Sequence, residues 1–460
     1  MRGSEDLTTG SVGRHLVRLT VPMFLGISSM ILASMVDTIY IGWIGTRELA
    51  AVSFSFPVVM GLSSVSMGLG VGATSIMSRA LGQGDRSRAY LLGTHTLLLV
   101  LLLVVVLAVG GRIFSAQLFR MIGADEVILP MVTAYMNIWF IGLPLFALPM
   151  VAMSMLQALG NARVPGTLMM AGAAMQVVLA PAFIFGLPGI HDGIGYTGSA
   201  WAFVLSRSLT LLATGYVVWQ RGMIAPLGRW HEVWASWREV LRIGVPMILT
   251  NLIGPISMGV VFGLLAKSGH AVVAGFGVAV RIESLALMIL MALSGSIAPM
   301  IGQNWGARQY ARVDTAMQLG YRFSFAWGIF VFVVLASFGR QIVGLINHDP
   351  EVIEATYQYL LIVPLSYSTM GVAMVAGSCF VALGRSLPSL ILNVVRVVVI
   401  YVPLAFLGDR LFGYRGVFGA SAVATVLIAA ASYVWIRRIL AGSRSKSPID
   451  GRVADAAGAT

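Results

Sequence analysis

One acidic residue lies inside a long apolar stretch near the start of the chain. Asp37 is the only charged residue between Val21 and Gly45, and a run of this length can cross a hydrocarbon core about 30 Å thick as a helix. A charge near the middle of a bilayer costs from about 2.5 to more than 10 kcal/mol, so such a residue normally faces a cavity, an ion path or a proton relay. The sequence therefore predicts ion chemistry at Asp37, with a purely structural buried acid as the alternative.

A second acid lies in an apolar stretch of the C-terminal half. Glu283 is only two positions from Arg281, but residues i and i+2 point in different directions on a helix and are poor partners. Glu283 therefore either braces packed helices or belongs to a second ion site. Three basic residues fall well inside apolar stretches, namely Arg207, Arg281 and Arg396.

Three uncharged polar residues lie in the same half of the chain as Asp37. They are Tyr135, Asn137 and Gln176, each within an otherwise apolar run. Their hydroxyl and amide groups can bind an ion or a substrate, although the same groups also tie helices together. We expect these residues to share a pocket with Asp37.

Motifs for enzyme chemistry are missing from the sequence. The six histidines are dispersed and do not pair at metal-ligand spacing. Neither a G-x-S-x-G nucleophile elbow nor a G-x-x-x-x-G-K-S/T phosphate loop occurs. The single cysteine, Cys379, excludes a disulfide framework and a cysteine-based metal cluster. We therefore expect no cofactor, and we expect the driving energy to come from an ion gradient.

Composition indicates that membrane-spanning helices carry these residues. Apolar residues make up 58% of the chain and charged residues 10%, whereas soluble domains carry about 25% charge. The runs are continuously apolar and do not alternate, which predicts an all-α polytopic membrane protein and excludes a β-barrel. The net charge of +12 does not indicate nucleic-acid binding, because the basic residues occupy short gaps between the runs.

Twelve apolar runs are long enough to be membrane spans. They lie at approximately 17–44, 50–80, 91–110, 128–150, 165–187, 197–219, 241–265, 272–302, 319–338, 357–381, 388–407 and 416–436. With both termini inside, the inner segments hold 20 Lys and Arg residues and the outer segments hold seven, as the positive-inside rule requires. We expect a multi-pass protein of the bacterial inner membrane, with both termini cytoplasmic.

The two halves of the chain repeat one another. RLTVPM at 18–23 matches RIGVPM at 242–247, and ALG at 158–160 recurs at 382–384. The shared order predicts two pseudo-symmetric six-helix bundles around a central cavity, an arrangement suited to alternating access. The predicted parts are a cytoplasmic segment (1–15), an N-terminal lobe (16–220), a cytoplasmic linker helix (221–240), a C-terminal lobe (241–440) and a disordered cytoplasmic tail (441–460). A shift of 224 residues places Val261 opposite Asp37, so ion chemistry is expected in the N-terminal lobe.

The repeat, the number of spans and the motifs together resemble the multidrug and toxic compound extrusion (MATE) family of efflux antiporters. The resemblance covers about 16–440 and rests on VP at 21–22, VDTIYIG at 36–42, GQG at 82–84, GQN at 302–304, RIE at 281–283 and QALG at 157–160. It implies export of cationic or amphipathic small molecules in exchange for H⁺ or Na⁺. Asp37 matches the coupling acid of the family's first span, and Tyr135 matches a polar position in span 4. We expect a monomer.

Two departures from the family pattern bear on the coupling ion. Many relatives carry Asn and Asp four residues apart in span 5, where this chain has Gln176 and Ala180. Spans 7 and 10 also lack the acids that sodium-binding relatives use. Na⁺ needs several oxygen ligands and H⁺ needs one carboxylate, so the sequence favours H⁺, with Na⁺ at Asp37 as the alternative.

A second function is compatible with the predicted architecture. A lipid-linked oligosaccharide flippase of related architecture would need several cationic residues in its cavity to hold a pyrophosphate. Only Arg207, Arg281 and Arg396 lie well inside the predicted spans, away from their ends. The number of spans and the scarcity of these cations favour the antiporter.

Overall fold

Two compact units make up the fold. The computed structural model describes residues 6–187 and 191–444. The N-terminal unit contains Val17–Leu252, and the C-terminal unit contains Thr8–Leu16 and the chain from Ile253 onwards. Most of the tail predicted for 441–460 lies outside the described residues.

Seven helices and one short strand pair form the first half of the chain. The strands are two residues each and pair antiparallel, with Gly186 opposite Asp192 and Leu187 opposite His191. The elements are α1 (Val12–Ile44), α2 (Thr46–Gly82), α3 (Arg86–Ile113), α4 (Ser115–Ile122), α5 (Ile128–Ala158), α6 (Arg163–Phe185), β1 (Gly186–Leu187), β2 (His191–Asp192) and α7 (Thr197–Gln220).

Eight helices form the second half. They are α8 (Trp230–Leu265), α9 (His270–Gly306), α10 (Tyr310–Gly344), α11 (Pro350–Ile362), α12 (Tyr367–Ala382), α13 (Leu387–Val394), α14 (Val402–Phe412) and α15 (Tyr414–Arg444). A short 3₁₀ segment, Val363–Ser366, joins α11 to α12. A π-helical segment, Val395–Tyr401, joins α13 to α14.

The prediction of twelve membrane-spanning helices is confirmed. Within the described residues, twelve helical segments are long and apolar enough to cross a bilayer. Two of these segments combine shorter elements: α11 continues into α12, and α13 continues through the π-helix into α14. The order and number of spans agree with the apolar runs in the sequence.

The two units repeat the same helix contacts. In the N-terminal unit α2 and α3 both pack against α5, and α5 and α6 both pack against α7. In the C-terminal unit α9 and α10 both pack against α12, and α12 and α14 both pack against α15. The internal sequence repeat therefore folds into two related helix bundles.

Two contacts between α1 and α6 show which residues of α6 lie beside Asp37. A Cβ on Gly166 of α6 would lie 2.4 Å from a backbone carbonyl oxygen of α1, so the two helices approach closely at this point. Farther along the same helices, Ile41 shares a buried cluster with Ala180. Helices α1 and α6 therefore run side by side in the same direction, and Asp37 lies level with Gln176.

The segment joining the two halves differs from the separate linker helix predicted at 221–240. Helix α8 begins at Trp230 and continues without a break to Leu265, so its first turns extend span 7. The preceding loop is fastened to α3, because the buried His95 places Nε2 2.9 Å from the Leu227 carbonyl oxygen. The Trp237 indole donates to the His95 carbonyl oxygen. These contacts bind the start of α8 to the N-terminal unit.

Candidate functional site

Asp37 is held by a hydroxyl group from another helix. Ser199, in the first turn of α7, donates to Asp37 Oδ2 over 2.7 Å. The other carboxylate oxygen, Oδ1, is buried and has no hydrogen-bond partner of good geometry within the described part of the chain; the Gln176 side chain makes a weaker contact with the same carboxylate. Hydrogen bonds to a charged acceptor are among the stronger ones in proteins. Asp37 therefore keeps a fixed orientation through Oδ2 while Oδ1 is left to take a proton or contact a cation.

Two of the three predicted polar neighbours lie beside Asp37. The buried Tyr135 of α5 is close to both Asp37 and Ser199. Gln176 of α6 is also close to the carboxylate, and its Oε1 accepts a hydrogen bond from Ser206 over 3.0 Å. Four helices, α1, α5, α6 and α7, thus contribute polar groups to one site.

The third predicted neighbour does not join this site. Asn137 Oδ1 lies 3.5 Å from Ser115 Oγ at the start of α4. Asn137 is two residues beyond Tyr135, and positions i and i+2 on a helix face different directions. The structure therefore assigns Asn137 to the contact between α5 and α4, away from Asp37.

The position at which many relatives carry a second acid is apolar in this chain. Ala180 is fully buried and packs in a cluster with Ile41, Ile184 and Ala202. A carboxylate there would need partners that these side chains do not offer. Asp37 is accordingly the single acid of the site within residues 6–187 and 191–444.

Sequence reasoning missed the contribution of α7. Its buried hydroxyl residues are Ser199, Ser206, Thr210 and Thr214. Their spacings of seven and four residues place them along one face of the helix. That periodicity is readable in the sequence, but which of these hydroxyls meets Asp37 depends on how α7 packs against α1.

The basic residue of span 6 lies near this site and is enclosed by aromatic rings. The Arg207 Cζ atom lies 5.3 Å from the ring centroid of Phe203 and 5.6 Å from that of Phe146. Phe203 in turn stacks on Trp139, with ring centroids 5.3 Å apart. Cation–π contacts at these distances stabilise a guanidinium group. Asp37 and Arg207 are thus the acid and the base that lie away from the ends of the spans among the described helices α1 to α7.

A second polar cluster surrounds Glu283 in the C-terminal unit. The Tyr359 hydroxyl donates to Glu283 Oε2, and Arg396, Tyr367 and Tyr401 also interact electrostatically with this carboxylate. Arg396 and Tyr401 both belong to the π-helical segment, and π-helical turns are frequent at functional sites.

The neighbouring Arg281 takes no part in the Glu283 cluster. Its side chain is exposed, although it lies in the middle of α9. Arg281 is also absent from the charged groups that act on Glu283. The two residues thus have separate surroundings, as their spacing predicts.

Metal binding has limited support among the described residues. They contain no group of three or more His, Cys, Asp and Glu side chains that could hold a metal ion. A Na⁺ ion at Asp37 would have to draw its remaining ligands from neutral oxygens, such as those of Ser199 and Gln176. One carboxylate with a free oxygen fits a proton more simply.

Comparisons with known proteins identify the family. The MatE family profile matches residues 22–182 and 243–407, once in each half of the chain. A FAD transporter of Shewanella oneidensis is 33% identical over 441 residues, covering 95% of this chain and 97% of that protein. The probable multidrug resistance protein YpnP of Bacillus subtilis is 26% identical, with 94% and 96% covered.

A solved structure supports the same assignment. The MATE transporter VcmN of Vibrio cholerae in its bent form superposes with a TM-score of 0.89 at 27% identity, covering 94% of this chain and 97% of that chain. The similarity extends over both bundles and is not confined to one motif. The chain belongs to the MatE family, the multidrug and toxic compound extrusion proteins, and is therefore a multi-pass membrane transporter and not an enzyme.

Proposed function

We propose that this protein exports a small organic molecule in exchange for an inward flow of H⁺, with Asp37 as the coupling residue. The observation that carries the proposal is the asymmetry of the Asp37 carboxylate, whose Oδ2 is bound by Ser199 while Oδ1 has no hydrogen-bond partner of good geometry among the described residues. Transporters of this family couple transport to an ion gradient. Na⁺ is the alternative ion, and it would require more oxygen ligands than H⁺ does.

Cationic amphipathic compounds are the first substrate class that we propose. A cation near Asp37 favours the charged carboxylate, whereas a bound proton removes that charge, so the two compete. Competition produces exchange when protons are taken up on the outside and released on the inside. By linkage, a tenfold loss of cation affinity on protonation requires an equal change in proton affinity, which is about 1.4 kcal/mol.

FAD is the second candidate substrate, and two observations favour it. The relative that is 33% identical is named as a FAD transporter. The N-terminal unit also holds Arg207, a cation that makes no ion pair with the described residues. FAD combines aromatic rings with a pyrophosphate, and Arg is suited to binding phosphate groups.

The pH dependence of binding distinguishes the two substrate classes by its sign. Loss of the Asp37 charge at low pH should weaken binding of a cation. It should strengthen binding of FAD near Arg207 by up to about tenfold. Arg207 is eight residues beyond Ser199 on α7, a rise of about 12 Å, and two charges this far apart interact by roughly 1.4 kcal/mol at an effective dielectric of 20. Titration of both compounds against purified protein between about pH 5 and 8 measures the sign directly.

Transport in everted membrane vesicles tests the coupling itself. Uptake of a fluorescent cation or of FAD should follow an imposed pH gradient, and it should be lost in Asp37→Asn, which cannot titrate. Asp85→Asn is the matched control, because Asp85 is exposed at the start of α3 and Asn is an equally good helix cap. Active export by Asp37→Asn would refute the role of this residue. Transport driven only by a sodium gradient would replace H⁺ by Na⁺.

We also propose that the lobes at 16–220 and 241–440 are the two moving parts of alternating access, and that both termini are cytoplasmic. The support is the excess of Lys and Arg in the inner segments. A reporter fused after residue 440 should be cytoplasmic, and one inserted near residue 191 should be external. An external C-terminus would overturn this orientation.

A further inference from the structure

We propose that Arg207, together with Phe146 and Phe203, forms a binding point for the anionic group of an aromatic substrate. The proposal rests on the proposed function, because it requires that the exported molecule enters the N-terminal unit. It adds a recognition residue at a place separate from Asp37. The ligand class is an aromatic compound that carries a phosphate or a comparable oxyanion.

The guanidinium of Arg207 has no polar partner among the described residues. It makes neither a hydrogen bond nor an ion pair with them, and its Nε atom is buried. A guanidinium has five N–H donors, and leaving a buried donor unsatisfied costs about 1–3 kcal/mol, more for a charged group. Contact with two phenyl rings compensates the charge only in part, since cation–π contacts leave every N–H donor unused. The described residues therefore do not supply a partner that can accept several hydrogen bonds from this group.

The Arg207 side chain is not fully enclosed. Arg207 and Phe146 are both only partly buried, so the group is reachable from outside the packed core. Arg207 Nη1 extends towards Gly172 of α6, where a Cβ would lie 3.5 Å away. A Cβ at Gly172 would also lie 2.9 Å from Thr210 Oγ1, so the guanidinium packs closely on α6 on this side and a ligand must approach from the side of the two phenyl rings.

The depth of Arg207 in the membrane argues against a lipid headgroup as the partner. Arg207 is ten residues into the 24-residue helix α7, which places it about 15 Å from one end and 20 Å from the other. A bilayer has a hydrocarbon core about 30 Å thick. Arg207 therefore lies near the middle of the core, and the headgroup phosphates of either leaflet are about 15 Å or more away. An intramembrane charge of this kind normally faces the interior or a water-filled path. The anion must therefore arrive along the transport path.

The chemistry of the three side chains selects the ligand. An Arg guanidinium binds phosphate or carboxylate through two parallel N–H donors. Phenyl rings on either side favour a flat aromatic ligand, which can stack or contact them edge to face. The stacked pair of Trp139 and Phe203 extends this aromatic surface. A substrate with a phosphate next to an aromatic ring would satisfy both features at once.

Flavin mononucleotide and riboflavin test this proposal, because they share one ring system and differ by one phosphate. We expect the purified wild-type protein in nanodiscs to bind flavin mononucleotide at least about tenfold more tightly than riboflavin, the ratio expected of a charge-assisted hydrogen bond. Arg207→Gln should abolish that preference without changing riboflavin binding. Arg207→Lys should keep part of it, since the charge remains but the paired donors are lost. Arg163→Gln is the control, because Arg163 is an exposed base on α6.

Several outcomes would overturn the proposal. Equal affinity of the wild-type protein for the two flavins would do so without any variant, as would an unchanged preference in Arg207→Gln. So would a loss of flavin mononucleotide binding when anionic lipids replace neutral lipids in the nanodisc, because the partner of Arg207 would then be a lipid. Coupling is tested separately: if Asp37→Asn still exports while the flavin preference stands, the proposed coupling fails and the Arg207 site does not.

Discussion

Ser199 and Asp37 join the first and sixth spans through a hydrogen bond of 2.7 Å between Oγ and Oδ2. The bond stabilises the ionised form of the carboxylate, because the serine hydroxyl donates and a carboxylate accepts. It also fixes which oxygen is available to an ion. Coupling in this protein should therefore depend on Ser199 nearly as directly as on Asp37.

Removal of the Ser199 hydroxyl should change the pH profile of transport. Ser199→Ala deletes a donor to a charged acceptor, a bond that contributes about 1.5–3 kcal/mol. Because the charged form loses its support, protonation becomes easier and the pH midpoint of export should move upwards by about 1–2 units. Initial export rates measured from pH 5 to 9 give the midpoint. Ser208→Ala is the control, since that hydroxyl bonds only to its own helix at Val204; an unshifted midpoint in Ser199→Ala would contradict this account.

A carboxylate at the repeat-related position should not replace Asp37. Val261 is buried in the apolar core of the C-terminal unit, packed with Leu264 and Phe276, and the residue equivalent to Ser199 is Val423. Val261→Asp in an Asp37→Asn background should therefore fail to restore export of a fluorescent cation. It should also lower the unfolding temperature, because an unpaired charge enters an apolar core. Full rescue would show that the two lobes are functionally equivalent.

Close packing of α1 on α6 should be sensitive to a single methyl group. A Cβ on Gly166 would lie 2.4 Å from the Pro22 carbonyl oxygen, whereas one on Gly110 of α3 would meet nothing within 4 Å. We expect Gly166→Ala to destabilise the protein by about 1–3 kcal/mol. Gly110→Ala should be neutral or stabilise it by up to about 1 kcal/mol, because Ala favours the helix. Thermal unfolding in detergent compares the two variants, and equal unfolding temperatures would contradict the tight contact.

Glu283 should act as a brace, in contrast to Asp37. Glu283→Gln keeps an acceptor for Tyr359 but removes the charge that faces Arg396, so we expect a loss of stability of about 1–3 kcal/mol with export retained. Asp37→Asn should show the reverse pattern. Thermal unfolding and gradient-driven export measured on both variants separate the two roles. Normal stability with abolished export in Glu283→Gln would assign it instead to a second ion site.

The sequence predicts the spans, the leading acid and two of its polar neighbours, Tyr135 and Gln176, but not the hydroxyl group that holds the acid. Continuous apolar runs are sufficient to indicate twelve helices. One carboxylate in such a run indicates a functional residue, because a charge inside the bilayer has a high free-energy cost. No local pattern predicts the contacts of Ser199 and Tyr359 with the two acids, because the choice of partner depends on how the helices pack.

Asn137 and Tyr135 are both polar residues in one apolar run, but the two face different directions on α5. The sequence pattern does not indicate that α8 is continuous. Its first turns, from Trp230, are charged and rich in Trp, a composition typical of a separate interfacial helix.

The π-helical segment Val395–Tyr401 gives the C-terminal unit a built-in rotational offset. Each π-type turn closes its hydrogen bond over one residue more than an α-helical turn, and one residue of an α-helix corresponds to about 100°. Deleting a single residue from this segment would return it to an α-helix and turn α14 by roughly that angle relative to α13. Arg396 and Tyr401 would then no longer both reach Glu283. The two lobes thus differ in the rotation of a helix about its axis as well as in their side chains. One residue more or less in this segment is enough to produce that rotation.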